Sequence, residues 1–451
     1  MKTFGLDLGT TSICAVVFEE KTGVLAAKTV RNAAFLPGES WQRTQDAAAI
    51  LDIAFSLVQE LLVVAVSAGR EEGMQELLEQ FPDVSAIGVT GQMHGILYLD
   101  AQGRCVSPLY TWQDGRAALP FDEAESWAEH LSRLTGYPVS AGYGLATHYY
   151  NSNHALVPEG AARFCTIADY AAMRLSGRTS PLLDASNAAS LGLFDLQGGC
   201  FDDKALRKAG LDTALLPQVS KAAYLGTGFF GKPVYTAIGD NQAAFLGAVD
   251  EKSDALLINV GTGSQVAVFT PEYLCAPGLE TRPFPGGGFL LVGAALCGGR
   301  SYALLERFFR QTVQMATGKD ESLYRAMERA LDAAGDISDA PEAITTFEGT
   351  RDDPALRGGF QNISAENFTP VHFMHSVMNG MAQELYGMYR GYLDAGGKKP
   401  SAMLGSGNGL RKNRHLQKAF ERVFSCPMAL SPYEEEAACG AARWAGICQT
   451  D

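Results

Sequence analysis

Leu6-Asp7-Leu8-Gly9-Thr10-Thr11-Ser12-Ile13-Cys14-Ala15-Val16-Val17 is echoed, 252 residues on (6 to 258), by Ile258-Asn259-Val260-Gly261-Thr262-Gly263-Ser264-Gln265-Val266-Ala267-Val268-Phe269. Gly9, Thr10, Ser12 and Ala15 fall on Gly261, Thr262, Ser264 and Ala267. Each stretch reads as an apolar strand, a turn of small polar residues, and a second apolar strand. A self-match at more than half the chain length predicts two similar halves, each opening with the same hairpin.

Working outward, Thr3–Leu8, Ile13–Phe18 and a third run from Val24 predict an antiparallel meander, broken by the turn Glu19-Glu20-Lys21-Thr22-Gly23. Asp46 is placed to cap a helix running to about Ala68, with Ile50, Ile53, Ala54, Leu57, Leu61 and Leu62 on one face. Val84–Thr90 reads as a buried strand and Gly91-Gln92-Met93-His94-Gly95 as a polar loop after it. Strands and helices alternate throughout, so the class is α/β. The boundary is expected at Lys232-Pro233, giving domains 1–232 and 233–451, because a Gly/Pro-rich stretch precedes the strand expected at Val234–Ile238.

Composition narrows the function classes. The 451 residues predict two or three domains at about 150 each. An apolar fraction of 47% with 19% charged residues fits a packed globular chain and excludes disorder. The net charge of −14 argues against nucleic-acid and anionic-membrane partners, which need clustered Lys and Arg. Nine cysteines, an odd number with no C-x-x-C spacing, speak against a disulfide framework or a zinc ribbon. The opening MKTFGLDLGTT lacks the apolar core of a signal peptide, so a cytoplasmic location is expected.

A strand–turn–strand of Gly, Thr and Ser turns backbone N–H groups and hydroxyls toward a polyphosphate, and bulkier residues would block the approach. Gly9, Thr10, Thr11 and Ser12 form one such loop and Gly261, Thr262 and Gly263 a second. A third, Gly405-Ser406-Gly407-Asn408, lies between the strand expected at Ala402–Leu404 and a helix expected from about Leu410. Any single glycine turn is equally a plain turn; three together point to a nucleotide. Asp7, at the end of the first strand, suits Mg²⁺, reached through water. Gly226-Thr-Gly-Phe-Phe-Gly231 with Lys232 imitates a P-loop, but Pro233 replaces the Ser/Thr and a strand follows where that motif needs a helix, so it reads as a turn between strands.

Gly239-Asp240-Asn241-Gln242-Ala243-Ala244 ends a strand and begins a small-residue helix. Asp240 there is either a helix N-cap or a general base. Gln92, Met93 and His94, and the run Thr111-Trp112-Gln113-Asp114-Gly115-Arg116, are the polar clusters suited to a small hydroxylated ligand. His372 and His375 lack a nearby third ligand, so no metal site is expected there.

DLGTTS (7–12), GVTGQMHG (88–95), TWQDGR (111–116), GDNQAA (239–244), NVGTGSQ (259–265) and GSGNGLRKN (405–413) together resemble the FGGY carbohydrate kinases of the sugar kinase/Hsp70/actin superfamily, over nearly the whole chain. The resemblance implies two RNase-H-like domains around a deep cleft, with the sugar mainly on the N-terminal domain and ATP on the C-terminal one. It implies Asp240 as base, Asp7 as the metal-associated carboxylate, and Gly261, Thr262, Gly405, Gly407 and Asn408 as nucleotide-loop residues. Gln92, His94 and Asn241 match sugar-contacting positions, and Trp112 and Asp114 follow them. The implied reaction is ATP- and Mg²⁺-dependent phosphorylation of a ketose at its terminal hydroxyl. TGYPVSAGYGLAT (135–147) and SNAASLGLF (186–194) favour sedoheptulose over a pentulose such as xylulose. His148-Tyr149-Tyr150 departs from the more apolar stretch expected there, which bears on the fit of the sugar. A homodimer is compatible with this reading. An Hsp70- or actin-like conformational ATPase is disfavoured, because no peptide-binding module follows the second nucleotide domain. Intact Asp7 and Asp240 disfavour a catalytically dead sugar sensor.

Overall fold

The structure, a computed structural model, describes residues 1–67, 84–228, 231–249, 255–335, 337–350, 353 and 355–450. It divides into two compact units, one of 1–250, 282–287 and 435–451, the other of 251–281 and 288–434.

The first unit opens with the expected meander, β1 (Lys2–Leu8), β2 (Ser12–Glu19) and β3 (Gly23–Arg31), paired antiparallel in sequence order. The helix α1 (Ala47–Ser67) is capped by Asp46, whose Oδ1 accepts from Ala48 N at 2.9 Å and Ala49 N at 3.2 Å. Its buried stripe is Ala47, Ile50, Leu51, Ala54, Leu57 and Val58; Ile53, Leu61 and Leu62 are only partly covered, so the core face is rotated from the expected one. The end expected for this helix, at Ala68, lies outside the described residues.

After α1, β4 (Val84–Gly91) lies parallel to β1, with Asp7 opposite Thr90 and Leu8 opposite Gly91. Two helices follow among others, α2 (Gly144–Asn153) and the small-residue α3 (Ala185–Ser190). The strands β5 (Tyr224–Thr227) and β6 (Pro233–Tyr235) form an antiparallel hairpin across the P-loop-like glycines, as the turn reading expects. The strand expected as Val234–Ile238 is two pieces, β6 and β7 (Ile238–Gly239), both parallel to β4, and α4 (Asp240–Ala248) follows directly. Phe4, Leu6, Leu8, Ile50, Val58 and Val89 lie fully buried at the core of this unit.

The second unit repeats the plan. β8 (Ala255–Val260), β9 (Ser264–Thr270) and β10 (Phe289–Ala295) pair antiparallel, α5 (Gly299–Thr317) and α6 (Pro370–Asp394) follow, and β11 (Ala402–Ser406) returns parallel to β8. Asn259 stands opposite Ser406 as Asp7 stands opposite Thr90. The short helix α7 (Gly407–Lys412) begins three residues earlier than expected, and β12 (Met428–Leu430) completes the sheet parallel to β11. Ile258, Val260, Leu291, Met378, Leu385 and Phe420 centre the core.

Two findings correct the expected domains. Residues 233–250 belong to the first unit, because β6 and β7 hydrogen-bond to β4; the Gly/Pro stretch before them is a hairpin turn and no linker. The last helix, α8 (Glu436–Thr450), also belongs to the first unit. It packs on that sheet and on α4 through glycines: a Cβ on Gly5 would stand 1.9 Å from Ala438 O and on Gly88 1.8 Å from Ala441 O, while on Gly440 it would stand 1.7 Å from Ala243 O in α4. Backbone contact this close admits no side chain. All nine cysteines are free thiols.

Candidate active site

In the first unit the ends of β1, β4 and β7 lie side by side. Asp240 follows Gly239, which pairs with Gly91, and Leu8 pairs with Gly91 on the other side. This brings Asp7 and Asp240 to the same end of the strands on either side of β4. Burial, then the charges of Asp240 and Glu435, push the Asp7 carboxyl up to about 7. Asp240 is also raised by burial, partly offset by a 2.6 Å hydrogen bond from Asn241 Nδ2 to its Oδ1 and by the positive charge of Arg282. Two carboxylates in one poorly solvated place are uncomfortable together until a proton or a cation joins them. Asp240 is the first residue of α4 and Gly239 occupies the N-cap, so the N-cap reading of Asp240 is not what the structure shows.

The loop after β1 is held by four side chains. Asn32 Nδ2 donates to Gly9 O at 2.9 Å, and Gln45 Nε2 donates to Thr10 O at 3.0 Å. Gln92 Nε2 in turn donates to Gln45 Oε1 at 2.9 Å. Trp112 Nε1 donates to Thr10 Oγ1 at 3.0 Å, and the indole is otherwise half exposed. A Cβ on Gly9 would lie 2.8 Å from Ser12 O, so the turn is as tight as a phosphate cradle requires. Thr11 is exposed at its tip, with Ser12 beside it opening β2.

Of the residues expected to face a sugar, His94 is the most constrained. Its φ is +70°, its ring stacks on Tyr143 at 4.6 Å, and its Nδ1 lies 2.7 Å from Ser190 O. A carbonyl only accepts, so Nδ1 carries the proton and Nε2 of the neutral ring is the acceptor. Met93 is buried against the Gly239 backbone, which supports the Asp240 segment from beneath. Asp114 is buried and committed: it accepts from Arg43 N at 3.1 Å and from Arg116 Nε at 2.7 Å. Its place is therefore to fix the turn that carries Trp112. Arg116 continues from Asp114 to Asn151 Oδ1 at 2.6 Å. His148, in the departing stretch, is buried on α2 with Nδ1 2.8 Å from Tyr98 OH, and burial holds it down at about 4, hence neutral.

In the second unit, Gly261 and Thr262 are exposed and Gly263 half-buried. Their turn is seated on the start of α5: Gly299 N donates to Gly261 O at 3.0 Å and Arg300 N to Thr262 O at 3.1 Å. A Cβ on Gly298 would stand 2.4 Å from the Gly263 carbonyl carbon. In the third loop Gly405 and Ser406 are buried strand residues, and Ser406 Oγ accepts from Asn259 Nδ2 at 2.7 Å. Gly407 has φ +82°, its missing Cβ replaced by Val260 O at 2.6 Å, and Asn408 is exposed beyond it. Gly407 is half-buried and Asn408 exposed, while Ser406 braces the loop.

Sequence reasoning passed over Asn32, Gln45, Gly298, Gly299 and Arg282. The pair Gly298-Gly299, three residues past the end of an apolar strand, was a legible signal. Arg282, in Thr-Arg-Pro, carried none. His372 sits beside Thr369 Oγ1 at 2.7 Å and Asp339 Oδ1 at 3.3 Å, and no cluster of three or more His, Cys, Asp or Glu capable of holding a metal occurs among the described residues. Nor does any described helix have the length and apolarity to cross a membrane.

Comparison with known proteins identifies the family and the fold. The sequence models of the N- and C-terminal domains of the FGGY family of carbohydrate kinases match residues 3–247 and 256–448. Mouse sedoheptulokinase (Mus musculus) is 30% identical, covering 98% of this chain and 96% of that protein, and the human protein (Homo sapiens) is 29% identical over the same shares. The crystal structure of xylulose kinase from Rhodospirillum rubrum superposes with a TM-score of 0.82 at 22% identity, covering all of this chain and 90% of that one, which shows the shared fold. Two α/β units, each led by a glycine-turn hairpin, are thus the architecture of a sugar kinase. The chain belongs to the FGGY family of carbohydrate kinases and is itself a carbohydrate kinase.

Proposed function

We propose that the enzyme transfers the γ-phosphoryl group of ATP to the terminal hydroxyl of sedoheptulose, giving sedoheptulose 7-phosphate. The full-length likeness to sedoheptulokinases carries this choice of sugar. Asp240 is the general base. Its elevated proton affinity suits a group that accepts the hydroxyl proton, and with a loose transition state the proton is needed late. Asn241 Nδ2 orients the carboxylate by holding Oδ1. His94 is the group assigned to sugar hydroxyls; Gln92, buried with its amide bonded to Gln45 and Thr10, braces the loop beside it.

Mg²⁺ and ATP fit the residues present. Asp7 is a carboxyl that burial, then the charges of Asp240 and Glu435, push up to about 7, so a cation would take the place of its proton. In the loops Gly9 to Ser12, Gly261 to Gly263, and Gly407 with Asn408, a Cβ on Gly9, Gly263 or Gly407 would strain the turn, so each loop keeps its bare backbone at that point. Bound with ATP, the cation supplies charge that neutralises the transferring phosphoryl group.

A pentulose kinase of the same chemistry is the competing reading. The test is ADP release measured over a panel of pentuloses, heptuloses and polyols, with kcat/KM for sedoheptulose and D-xylulose taken on one preparation. Preference for sedoheptulose is expected, because a site built to hydrogen-bond the added hydroxyls leaves buried groups unpaired with a shorter sugar. A clear preference for xylulose overturns the sugar and leaves the kinase intact.

A further inference from the structure

The motif Ser186-Asn187-Ala188-Ala189-Ser190 makes up five of the six residues of α3, and none of them is among the groups assigned to sugar or nucleotide. We propose that α3 is a positioning element that sets Asp240 and His94 relative to each other, holding the base through Ser186 and Asn187 and the histidine through Ser190. This rests on the reading of Asp240 as base and His94 as sugar contact.

On the base side, Gly239 N donates to Ser186 Oγ at 3.1 Å. The same hydroxyl donates to Asp184 Oδ1 at 2.6 Å, which also accepts from Ser186 N at 2.9 Å. A hydroxyl donating to a carboxylate is a better acceptor for its own partner, so the Gly239 peptide is firmly held. That peptide is the one directly before Asp240. Asn187 Nδ2 donates to Ala237 O at 3.3 Å and to Asp169 Oδ1 at 3.2 Å. Asp169 is kept in place by Thr166 Oγ1 at 2.7 Å. Positions 237 and 239 are thus both tied to α3.

On the other side, Ser190 Oγ accepts from His94 N at 3.1 Å and donates to Asn187 O at 2.7 Å, while Ser190 O takes the Nδ1 proton. One residue holds both the backbone and the tautomer of a histidine in the left-handed region, where an L-residue is strained and must be held by its surroundings. Ser186, Asn187 and Ser190 are all buried. The two loops are also joined directly: β7 pairs with β4 at Ile238–Thr90 and Gly239–Gly91, Thr90 Oγ1 donates to Ile238 O at 2.8 Å, and Met93 packs on Gly239. The hydrogen bonds of α3 to Gly239 N, Ala237 O and the His94 backbone add a second, separate tie between them.

The two ends of α3 should separate in kinetics. Ser186→Ala should lower kcat by about ten- to a hundredfold, the scale of a misplaced catalytic group, with the KM for sugar within a few-fold. Ser190→Ala should raise the KM for sugar about tenfold with kcat within a few-fold. Ser186→Thr, which keeps the hydroxyl, should restore most of the lost kcat. Mg-ATP affinity should stay unchanged in all three. Kinetics would be run with sedoheptulose and D-xylulose beside Asp240→Asn. If Ser186→Ala turns over normally while Asp240→Asn is inactive, the inference fails and the base assignment stands. If Asp240→Asn turns over normally, the base assignment itself fails. Equal effects of the two alanine variants on kcat and KM, or no rescue by threonine, also overturn the positioning role.

Discussion

Asp7 and Asp240 lie at the ends of two strands that flank β4, and the charge of Asp240 helps hold a proton on Asp7. The two carboxylates belong to one electrostatic site. A divalent cation that takes the place of the Asp7 proton relieves their repulsion, while Asp240 stays available to accept a proton from substrate.

Asp240→Asn keeps the hydrogen-bonding shape and removes the base. Turnover should fall by about 10²–10⁴-fold, with calorimetric affinities for sugar and for an Mg-ATP analogue within a few-fold of wild type. Turnover near the wild-type rate would mean the proton leaves by another route.

Asp7 gives two pH-dependent outcomes. Its folded-state pKa of about 7 lies above its ordinary value of 3.8, so between those limits the folded protein binds more protons than the unfolded chain. Its contribution to stability is therefore lost as pH rises through that window, and Asp7→Asn should gain stability relative to wild type over the same range in denaturant titrations. Mg-ATP binding below pH 7 should release a proton, seen as a dependence of the calorimetric heat on buffer ionisation enthalpy. That dependence should vanish in Asp7→Asn.

Gly407→Val places a β-branched residue at φ +82° with its Cβ 2.6 Å from Val260 O. Mg-ATP analogue affinity should drop at least tenfold, while sugar binding to the first unit persists. Unchanged nucleotide affinity in a folded variant would exclude this loop from the site. Lys232→Ala, in the β5–β6 hairpin, is the control and should leave affinity alone.

His94→Ala removes the acceptor Nε2 and the stack on Tyr143. Loss of about 1–3 kcal/mol in kcat/KM for the sugar is expected, with nucleotide KM unchanged. A shift in nucleotide KM alone would refute a sugar-side role.

Gly88→Ala tests the seat of the last helix. Its Cβ would meet Ala441 O at 1.8 Å, a backbone atom that cannot turn aside. Destabilisation of about 1–3 kcal/mol or more is expected in thermal unfolding. A neutral effect would mean that α8 shifts freely on the sheet.

The glycine-turn hairpins were legible because alternating apolar strands around a Gly-Thr turn are a local pattern, and the structure shows both at the repeated positions. The Asp46 cap and the false P-loop were legible for the same reason: a cap or a proline acts within a few residues. The rotated face of α1 was not, since Leu51 and Val58 share the helical period with Ile53, Leu61 and Leu62, and only the packing decides which of them is fully buried. Nor were Asn32 and Gln45 visible as braces of the first loop, being 23 and 35 residues from the backbone they hold.

The sequence by itself determined the strands, the turns, the doubling of the plan and the residue types at the site, because backbone preference and apolar period act over short windows. Only the tertiary structure decided that α8 closes the first unit, that the charge of Arg282 acts on Asp240, that Ser406 and Asp114 brace loops, and that burial raises the Asp7 carboxyl. Burial and charge depend on which distant segments the fold brings together, and no local pattern records that.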